Sequence, residues 1–173
     1  MYELADDHGW VDFSRVNLEH EIGVGSTARV YKGTLMPNGA KTPLVVAAKL
    51  FTPRELSVVD VREYGEEISL AASLEHPGIA KFHGLSLSPP SIIMLFELCP
   101  RGSLQSNLKL VKGAWSWEKK LRMAIQLAEA IVYMHAKRPP LIHRDIKPEN
   151  VLFRKDWSLA LSDFGASRGR KLL

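Results

Sequence analysis

Two short polar motifs constrain the fold of this chain more than any other feature. The first runs from His143 to Asn150, and the second is Asp163-Phe164-Gly165. A lone Asp or Asn in a loop is usually turn chemistry. Here the residues occur together and in order, after a predicted long helix and around a predicted hairpin of Val151–Phe153 with Leu159–Ser162. The pattern therefore predicts a specific polar site held by a helix and a hairpin.

The chemistry of the two motifs is complementary. Asp145 can accept or orient the proton of a hydroxyl group, and Lys147 can neutralise charge on a phosphoryl group. Asn150 and Asp163 offer the oxygen ligands that magnesium prefers. We expect His143 and Phe164 to pack rather than react. The set is typical of phosphoryl transfer from a magnesium nucleotide.

The rest of the chain predicts a mixed α+β fold. Residues 1–16 resemble a polar lead-in. Five strands follow, interrupted by one helix over residues 58–74, and the predicted strands span residues 17–23, 29–35, 44–51, 79–87 and 91–98. Ser103 and Ser116 are placed to cap two later helices. A change of composition at Pro100-Arg101-Gly102 predicts a boundary between two lobes.

The turn between the first two strands carries Gly23 and Gly25, with Ala28 three residues later. Glycines there allow backbone N–H groups to approach phosphates closely. An ordinary hairpin turn explains the glycines equally well. The loop opens no helix, which argues against a dinucleotide-binding site.

Lys49 lies within an otherwise apolar predicted strand. It must reach water or find an anionic partner. It either contacts nucleotide phosphates or lies on the exposed face of the strand. Glu63, Glu66 and Glu67 on the following helix are the candidate partners, and the family resemblance described below favours Glu67.

Taken together, these motifs resemble the eukaryotic protein kinases, from about Leu18 to Ser167. The resemblance implies a two-lobe fold, with a five-stranded antiparallel sheet and one helix in the first lobe, residues 17–99, and an incomplete helical second lobe, residues 100–173. Ile146-Lys147-Pro148-Glu149 looks like the serine/threonine type of catalytic loop. In this family Lys49 and Glu67 would position the nucleotide.

The resemblance also implies an adenine pocket for ATP. Phe96 aligns with the gatekeeper position, and Glu97 and Cys99 with the hinge whose backbone bonds adenine. Ser103 matches a position near the ribose. The ring would be sandwiched by four apolar side chains, Ile22, Val30, Ala47 and Leu152. Ala71 stands where the family usually has a larger residue that contacts Phe164, which would loosen that contact unless Leu70 substitutes.

The chain ends at Leu173, eight residues after Gly165, with no Ala-Pro-Glu motif. We expect a kinase domain truncated after Asp-Phe-Gly: a fragment, a truncated gene product, or a chain completed by a partner. The predicted helix from Ser116 would then expose an apolar face of several hundred Å². That face comprises Leu121, Ala124, Ile125, Ala128, Ile131 and Val132.

Composition excludes several other classes of protein. A net charge of +4 is scattered among acidic residues, so we expect no nucleic-acid binding. Cys99 is the only cysteine, which favours an intracellular, cytoplasmic setting. No apolar run approaches the ~20 residues that span a bilayer. A protein substrate is the expected partner. The alternative function is a non-catalytic nucleotide-binding or interaction module.

Overall fold

The computed structural model describes residues 9–25, 28–51, 65, 68–111, 115–164 and 168–169. The chain divides into two compact units. The first comprises Met1–Leu74 with Lys81–Leu98, and the second comprises Glu75–Ala80 with Cys99–Leu173. Among the described residues, no helix combines the length and hydrophobicity needed to cross a membrane.

The first unit is built on a five-stranded antiparallel sheet, as predicted. Its strands follow the order β1-β2-β3-β5-β4. Helix α1, described at residues 65 and 68–73, lies between β3 and β4 in the chain. The strands are β1 (Val16–Val24), β2 (Arg29–Leu35), β3 (Leu44–Phe51), β4 (Phe82–Ser88) and β5 (Ser91–Glu97).

Apolar side chains occupy both faces of this sheet, because β3 and β5 alternate between two buried clusters. On one face Phe51 and Met94 pack with Ala71 of α1. On the other, Val46 and Ala48 pack with Ile93 and Leu95, and this second cluster is completed by Val11, Val16 and Leu35. The second face therefore needs cover from outside the sheet.

Residues 9–16 provide this cover. The prediction of a polar lead-in over residues 1–16 is therefore wrong for the part that the structure describes. Val11 donates its N–H to the Leu85 carbonyl (2.7 Å), and Leu85 donates to the Gly9 carbonyl (2.9 Å). Val11 and Val16 are buried in the cluster. The two buried valines lie five residues apart, which fits neither a helical nor a strand period, so the sequence gives no regular apolar face here. The segment in fact pairs with the edge of β4 and closes the apolar face.

The second unit begins with the segment Glu75–Ala80, which was predicted to start β4 at Ile79. Instead, β4 starts at Phe82, and Ile79 forms a parallel bridge with Leu161. The remaining elements are α2 (Leu104–Val111), α3 (Trp117–His135), β6 (Leu141–Ile142), β7 (Val151–Phe153), β8 (Leu159–Leu161) and β9 (Arg168–Gly169). β7 and β8 form the predicted hairpin, and β6 pairs with β9.

Both helix caps occur as the sequence predicts. The Ser103 hydroxyl accepts the Ser106 N–H at 3.2 Å, and the Ser116 hydroxyl accepts the Lys119 N–H at 3.3 Å. Each satisfies a backbone donor left free by the first turn of the helix.

Helix α3 presents its apolar face to solvent. Ala130 and Met134 on another face are buried, whereas Leu121 and Ile125 are each 50% exposed and Val132 is 67% exposed. This confirms the exposed face that the sequence predicts. Fully exposed stripes of this kind are uncommon on soluble monomers.

Candidate functional site

The glycine-bearing turn joins β1 to β2 in the first unit. Gly25 donates its N–H to the Ala28 carbonyl (2.8 Å), and a Cβ on Gly25 would lie 3.3 Å from that oxygen. Ile22 is exposed and Gly23 pairs with Val30. Ala28 is buried in the cluster beneath α1, so the third position of the loop is a packing position. Residues 26 and 27 lie outside the described residues.

Lys49 shares one face of β3 with Ala47 and Phe51. Its ammonium lies 5.0 Å from the Phe51 ring centroid, and Phe51 belongs to the cluster that includes Ala71 of α1. Strand neighbours of Lys49 are Val30 and Met94. This places Lys49 on the side of the sheet that α1 covers, which favours the phosphate interpretation over a solvated lysine. Glu67, like Glu63 and Glu66, lies outside the described residues, so its pairing with Lys49 stays a prediction.

The end of β5 carries the predicted gatekeeper and the first hinge residue. Phe96 lies beside Ala47 in the sheet register and contacts the Phe82 ring at 5.5 Å, edge to face. The Glu97 carboxylate accepts the Lys81 N–H (2.9 Å), and the Glu97 N–H donates to the Lys81 carbonyl (2.9 Å). Both bonds therefore join the last residue of β5 to Lys81, the residue that precedes β4.

In the second unit, Cys99 packs with Ala80, Ala160 and the half-buried Leu152. Leu152 also forms an isolated antiparallel bridge with Ser103. Three of the predicted nucleotide-binding residues therefore lie together at the base of β7. Cys99 is buried, so its side chain has a packing role.

The loop before β7 brings three predicted side chains into contact. Lys147 Nζ lies 2.7 Å from Asp145 Oδ2, and Asn150 Nδ2 donates to the same oxygen at 2.9 Å. Asn150 Nδ2 also donates to the Asp145 backbone carbonyl at 2.8 Å. The hydrogen bond from Lys147 is the main reason that the pKa of the Asp145 carboxyl is lowered. Asp145 is therefore a fixed carboxylate with one oxygen held by two donors.

His143 stabilises this loop through hydrogen bonds of both ring nitrogens. It is buried, its Nε2 lies 3.0 Å from the Ser162 carbonyl, and its Nδ1 accepts the Asp145 N–H at 3.3 Å. Burial lowers the pKa of His143, which favours the neutral ring with the proton on Nε2. Its ring lies 5.1 Å from that of the buried Phe164. Both residues pack, as expected from the sequence.

Asp163 follows β8 and is tied to the same loop. Ser162 donates both its N–H (2.9 Å) and its hydroxyl (3.0 Å) to the Asn150 carbonyl. Asp163 is exposed and has a φ of 64°, and Arg144 has a φ of 68°. Non-glycine residues rarely adopt this left-handed region, and they concentrate at functional sites.

These residues fit a magnesium ion by the chemistry of their donors. The two bonds that Asn150 Nδ2 gives to Asp145 fix the orientation of the amide, so its Oδ1 is the group left to face a cation. Asp163 supplies a carboxylate. Magnesium is often held by one or two such groups together with substrate phosphates. Within the described ranges, no group of three or more His, Cys, Asp or Glu side chains could hold a metal by itself.

Sequence reasoning missed the contacts that support this site. These are the bonds from His143 to Ser162 and from Ser162 to Asn150, and the pairing of residues 78–80 with β8. All join groups that are distant in sequence, and each has a backbone group on at least one side. Local patterns carry almost no signal for these contacts. The one weak signal is Gly78, a small residue that allows another segment to approach closely.

Comparison with known proteins places this geometry in context. Residues 16–171 match a family model described as protein tyrosine and serine/threonine kinase. The protein kinase STUNTED of Arabidopsis thaliana is 37% identical over 95% of this chain and 27% of its own length.

Two proteins of Dictyostelium discoideum are also similar. Probable serine/threonine-protein kinase drkB is 34% identical over 96% of this chain and 23% of its own length. Probable serine/threonine-protein kinase drkA is 32% identical over 96% of this chain and 25% of its own length. The chain therefore spans about a quarter of the length of these relatives.

Proposed function

This chain belongs to the family of protein tyrosine and serine/threonine kinases, and from that membership we propose that it binds ATP with magnesium and transfers the γ-phosphoryl group to serine or threonine hydroxyls of protein substrates. The observation that carries the proposal is the contact of Asp145 with both Lys147 and Asn150. It joins an oriented carboxylate, a cation and an oxygen ligand within six residues of chain.

Asp145 orients the attacking hydroxyl. One carboxylate oxygen is held by Lys147 and Asn150, which directs the other toward an incoming donor. Because the pKa of Asp145 is lowered, it is a weak base before reaction. Orientation is then its first role, and Asp145 accepts the hydroxyl proton only as the new O–P bond forms and the bond from the γ-phosphorus to the ADP oxygen breaks. This suits a loose transition state, in which little proton transfer is needed early.

Lys147 serves the transferred group. Its ammonium is exposed enough to approach a phosphoryl oxygen while staying within reach of Asp145. Its pKa is raised, mainly by the bond to Asp145, so it stays charged at physiological pH. A fixed cation beside the transferred group stabilises charge as it develops.

Asn150 and Asp163 are the proposed magnesium ligands. When bound, magnesium neutralises phosphate charge and fixes the phosphate orientation. Asn150 contributes Oδ1 because its amide nitrogen is committed to Asp145. Asp163 follows β8 and has a left-handed backbone conformation. Ser162, the residue before it, stabilises this arrangement through its bonds to Asn150.

The first unit supplies the proposed contacts to the nucleotide. Gly23 and Gly25 leave the turn backbone open to phosphates, and Lys49 lies on the covered face of β3. Glu67 is proposed to hold Lys49 in place. The adenine pocket uses the apolar residues and hinge backbone groups that the sequence predicts. An intracellular, cytoplasmic location fits the single cysteine, Cys99.

Nucleotide binding provides the first test. The 173-residue chain should bind ATP weakly, and magnesium should strengthen that binding. Asp163→Asn should remove most of the magnesium effect, because it removes the negative charge of the proposed ligand pair, whereas adenosine affinity should stay unchanged. Isothermal titration calorimetry measures both. Absence of nucleotide binding by the wild-type chain would reject the proposal.

A non-catalytic nucleotide-binding or interaction module is the second candidate. The exposed apolar face of α3 favours it, because such faces commonly mark contact surfaces. We expect the isolated chain to have little kinase activity. Nucleotide binding with no transfer dependent on Asp145 would favour the module.

A further inference from the structure

Arg154 immediately follows β7, and its guanidinium joins two segments that are distant in sequence. It donates to the carbonyls of Pro77 (2.7 Å), Leu159 (2.8 Å) and Ile79 (3.2 Å). An arginine presents five N–H donors in a planar fork, so one side chain can satisfy three carbonyls at once. A lysine ammonium, a single point of charge, cannot reproduce that geometry.

The two segments that Arg154 joins, residues 77–79 and β8, are neighbours in one small sheet. Leu161 donates its N–H to the Gly78 carbonyl (2.8 Å), and Ala80 donates to the Leu161 carbonyl (2.9 Å). On its other side β8 pairs with β7, from Val151↔Leu161 to Phe153↔Leu159. β8 is therefore a central strand between β7 and residues 78–80. Arg154 bonds to β8 at Leu159, the end of the strand that is farther from Asp163.

A side chain of helix α3 also bonds to the first residue of β8. Gln126 Oε1 accepts the Leu159 N–H at 2.9 Å. Gly78 lies so close to α3 that a Cβ on it would be 3.0 Å from the Ala130 Cβ. The backbone groups of Leu159 and Leu161 are all paired, which a strand buried on all sides requires. Replacement of Arg154 would remove its hydrogen bonds to the carbonyls of Pro77, Ile79 and Leu159.

The chain runs from the last residue of β8, Leu161, through Ser162 to Asp163. We propose that Arg154 is a positioning residue for Asp163: it fixes β8 between β7 and residues 77–79, and so fixes the carboxylate that holds magnesium. This inference rests on the proposed function, since that function assigns magnesium to Asp163. Arg154 bonds to the first residue of β8, at the opposite end from Asp163, so its proposed effect on Asp163 passes through β8.

The first measurement needs no ligand. Amide hydrogen exchange is followed by NMR in the 173-residue chain and in its Arg154→Gln and Arg154→Lys variants. The amides of Leu161 and Ala80 should exchange about tenfold faster in Arg154→Gln, as the loss of one net hydrogen bond predicts. Arg154→Lys should be intermediate. The α3 amides of Ala130 and Met134 should be unaffected.

Arg122→Gln is the matched control. Its guanidinium pairs with the Glu118 carboxylate on the exposed surface of α3, 3.1 Å away. It should leave the β8 amides unchanged. Unchanged β8 exchange in Arg154→Gln would overturn the proposal. Equal acceleration in β8 and α3 would also overturn it, because Arg154 would then be a general stabiliser.

The second measurement tests the link to magnesium. The magnesium concentration that gives half-maximal ATP binding should rise about tenfold in Arg154→Gln, the lower end of what loss of an outer partner costs a metal site. Adenosine affinity should not change. An unchanged magnesium requirement would overturn the proposal. A wild-type chain that binds no nucleotide would reject the proposed function, and the exchange result would still decide whether Arg154 holds β8.

Discussion

The Asn150→Ala substitution should cost stability and also abolish the magnesium dependence of nucleotide binding. Asn150 is 6% exposed, and its amide nitrogen gives one bond to the Asp145 backbone carbonyl and one to the Asp145 carboxylate. Alanine removes both donors and the proposed magnesium ligand. Asp145 would keep Lys147 but lose the bond that fixes its carboxylate to the loop.

The expected cost follows from the two bonds. A bond to a neutral carbonyl contributes about 1 kcal/mol and one to a charged group about 1.5–3 kcal/mol. The Asp145 side chain is 35% exposed, so the lower end of the charged range applies. Asn150→Ala should therefore lower the free energy of unfolding by about 2–3 kcal/mol. The pKa of Asp145 should also rise, since the Asn150 bond is one of the causes that lower it.

Asn107 provides the matched control. It is also 6% exposed, and its amide nitrogen donates to the carbonyls of Arg101 (2.7 Å) and Ser103 (2.8 Å). Asn107→Ala should cost about 2 kcal/mol, because two neutral bonds are lost. Neither a carboxylate nor a proposed magnesium ligand is involved, so the magnesium effect should persist.

Urea unfolding measures the stability of both variants, and calorimetry measures ATP binding with and without magnesium. Equal loss of the magnesium effect in Asn107→Ala and Asn150→Ala would refute the reasoning, because it would trace the effect to stability alone. So would an Asn150→Ala variant that retains the wild-type magnesium response.

Three further changes test separate parts of the structure. Lys147→Met should raise the pKa of Asp145, so the Asp145 carboxyl should protonate at a higher pH in an NMR titration; an unchanged titration would contradict the contact. Gly84→Ala should destabilise the chain by about 2 kcal/mol more than Gly39→Ala, because both have positive φ but only at Gly84 would a Cβ lie 2.4 Å from the Gly9 carbonyl oxygen; equal urea midpoints would show that residues 9–11 do not dock on β4. Ile125→Glu should change stability by no more than about 0.5 kcal/mol and reduce binding of a hydrophobic dye; a large loss of stability would mean that Ile125 is buried.

Regular elements were predictable where the sequence repeats a local pattern. β3 alternates between two faces, and that period alone places Lys49 with Ala47 and Phe51. Ser116 followed by an amphipathic stretch predicts the start of α3 correctly. The hairpin of β7 and β8 follows from two short apolar runs on either side of Trp157, which has a φ of 70°.

The parts that sequence could not supply depend on pairings across long stretches of chain. Ile79 fits a strand pattern, but its partner is Leu161 in the hairpin of β7 and β8, within the second unit, rather than β5. The apolar residues around Val11 show no strand or helix period, and Val11 finds its partner only in Leu85 of β4, more than seventy residues later. At the candidate site, the residue types predict that Asp145, Lys147, Asn150 and Asp163 serve one reaction. They give no sign of the support from Ser162 and Arg154.

Transfer of the γ-phosphoryl group from radiolabelled ATP to a generic protein substrate tests the proposed function most directly. The wild-type 173-residue chain should transfer label slowly, with dependence on magnesium, and Asp145→Ala should abolish the transfer. The Arg122→Gln chain, altered on the exposed surface of α3, should match the wild type. Transfer that survives Asp145→Ala, or nucleotide binding with no transfer at all, would contradict the assignment of Asp145 as the residue that serves the reaction.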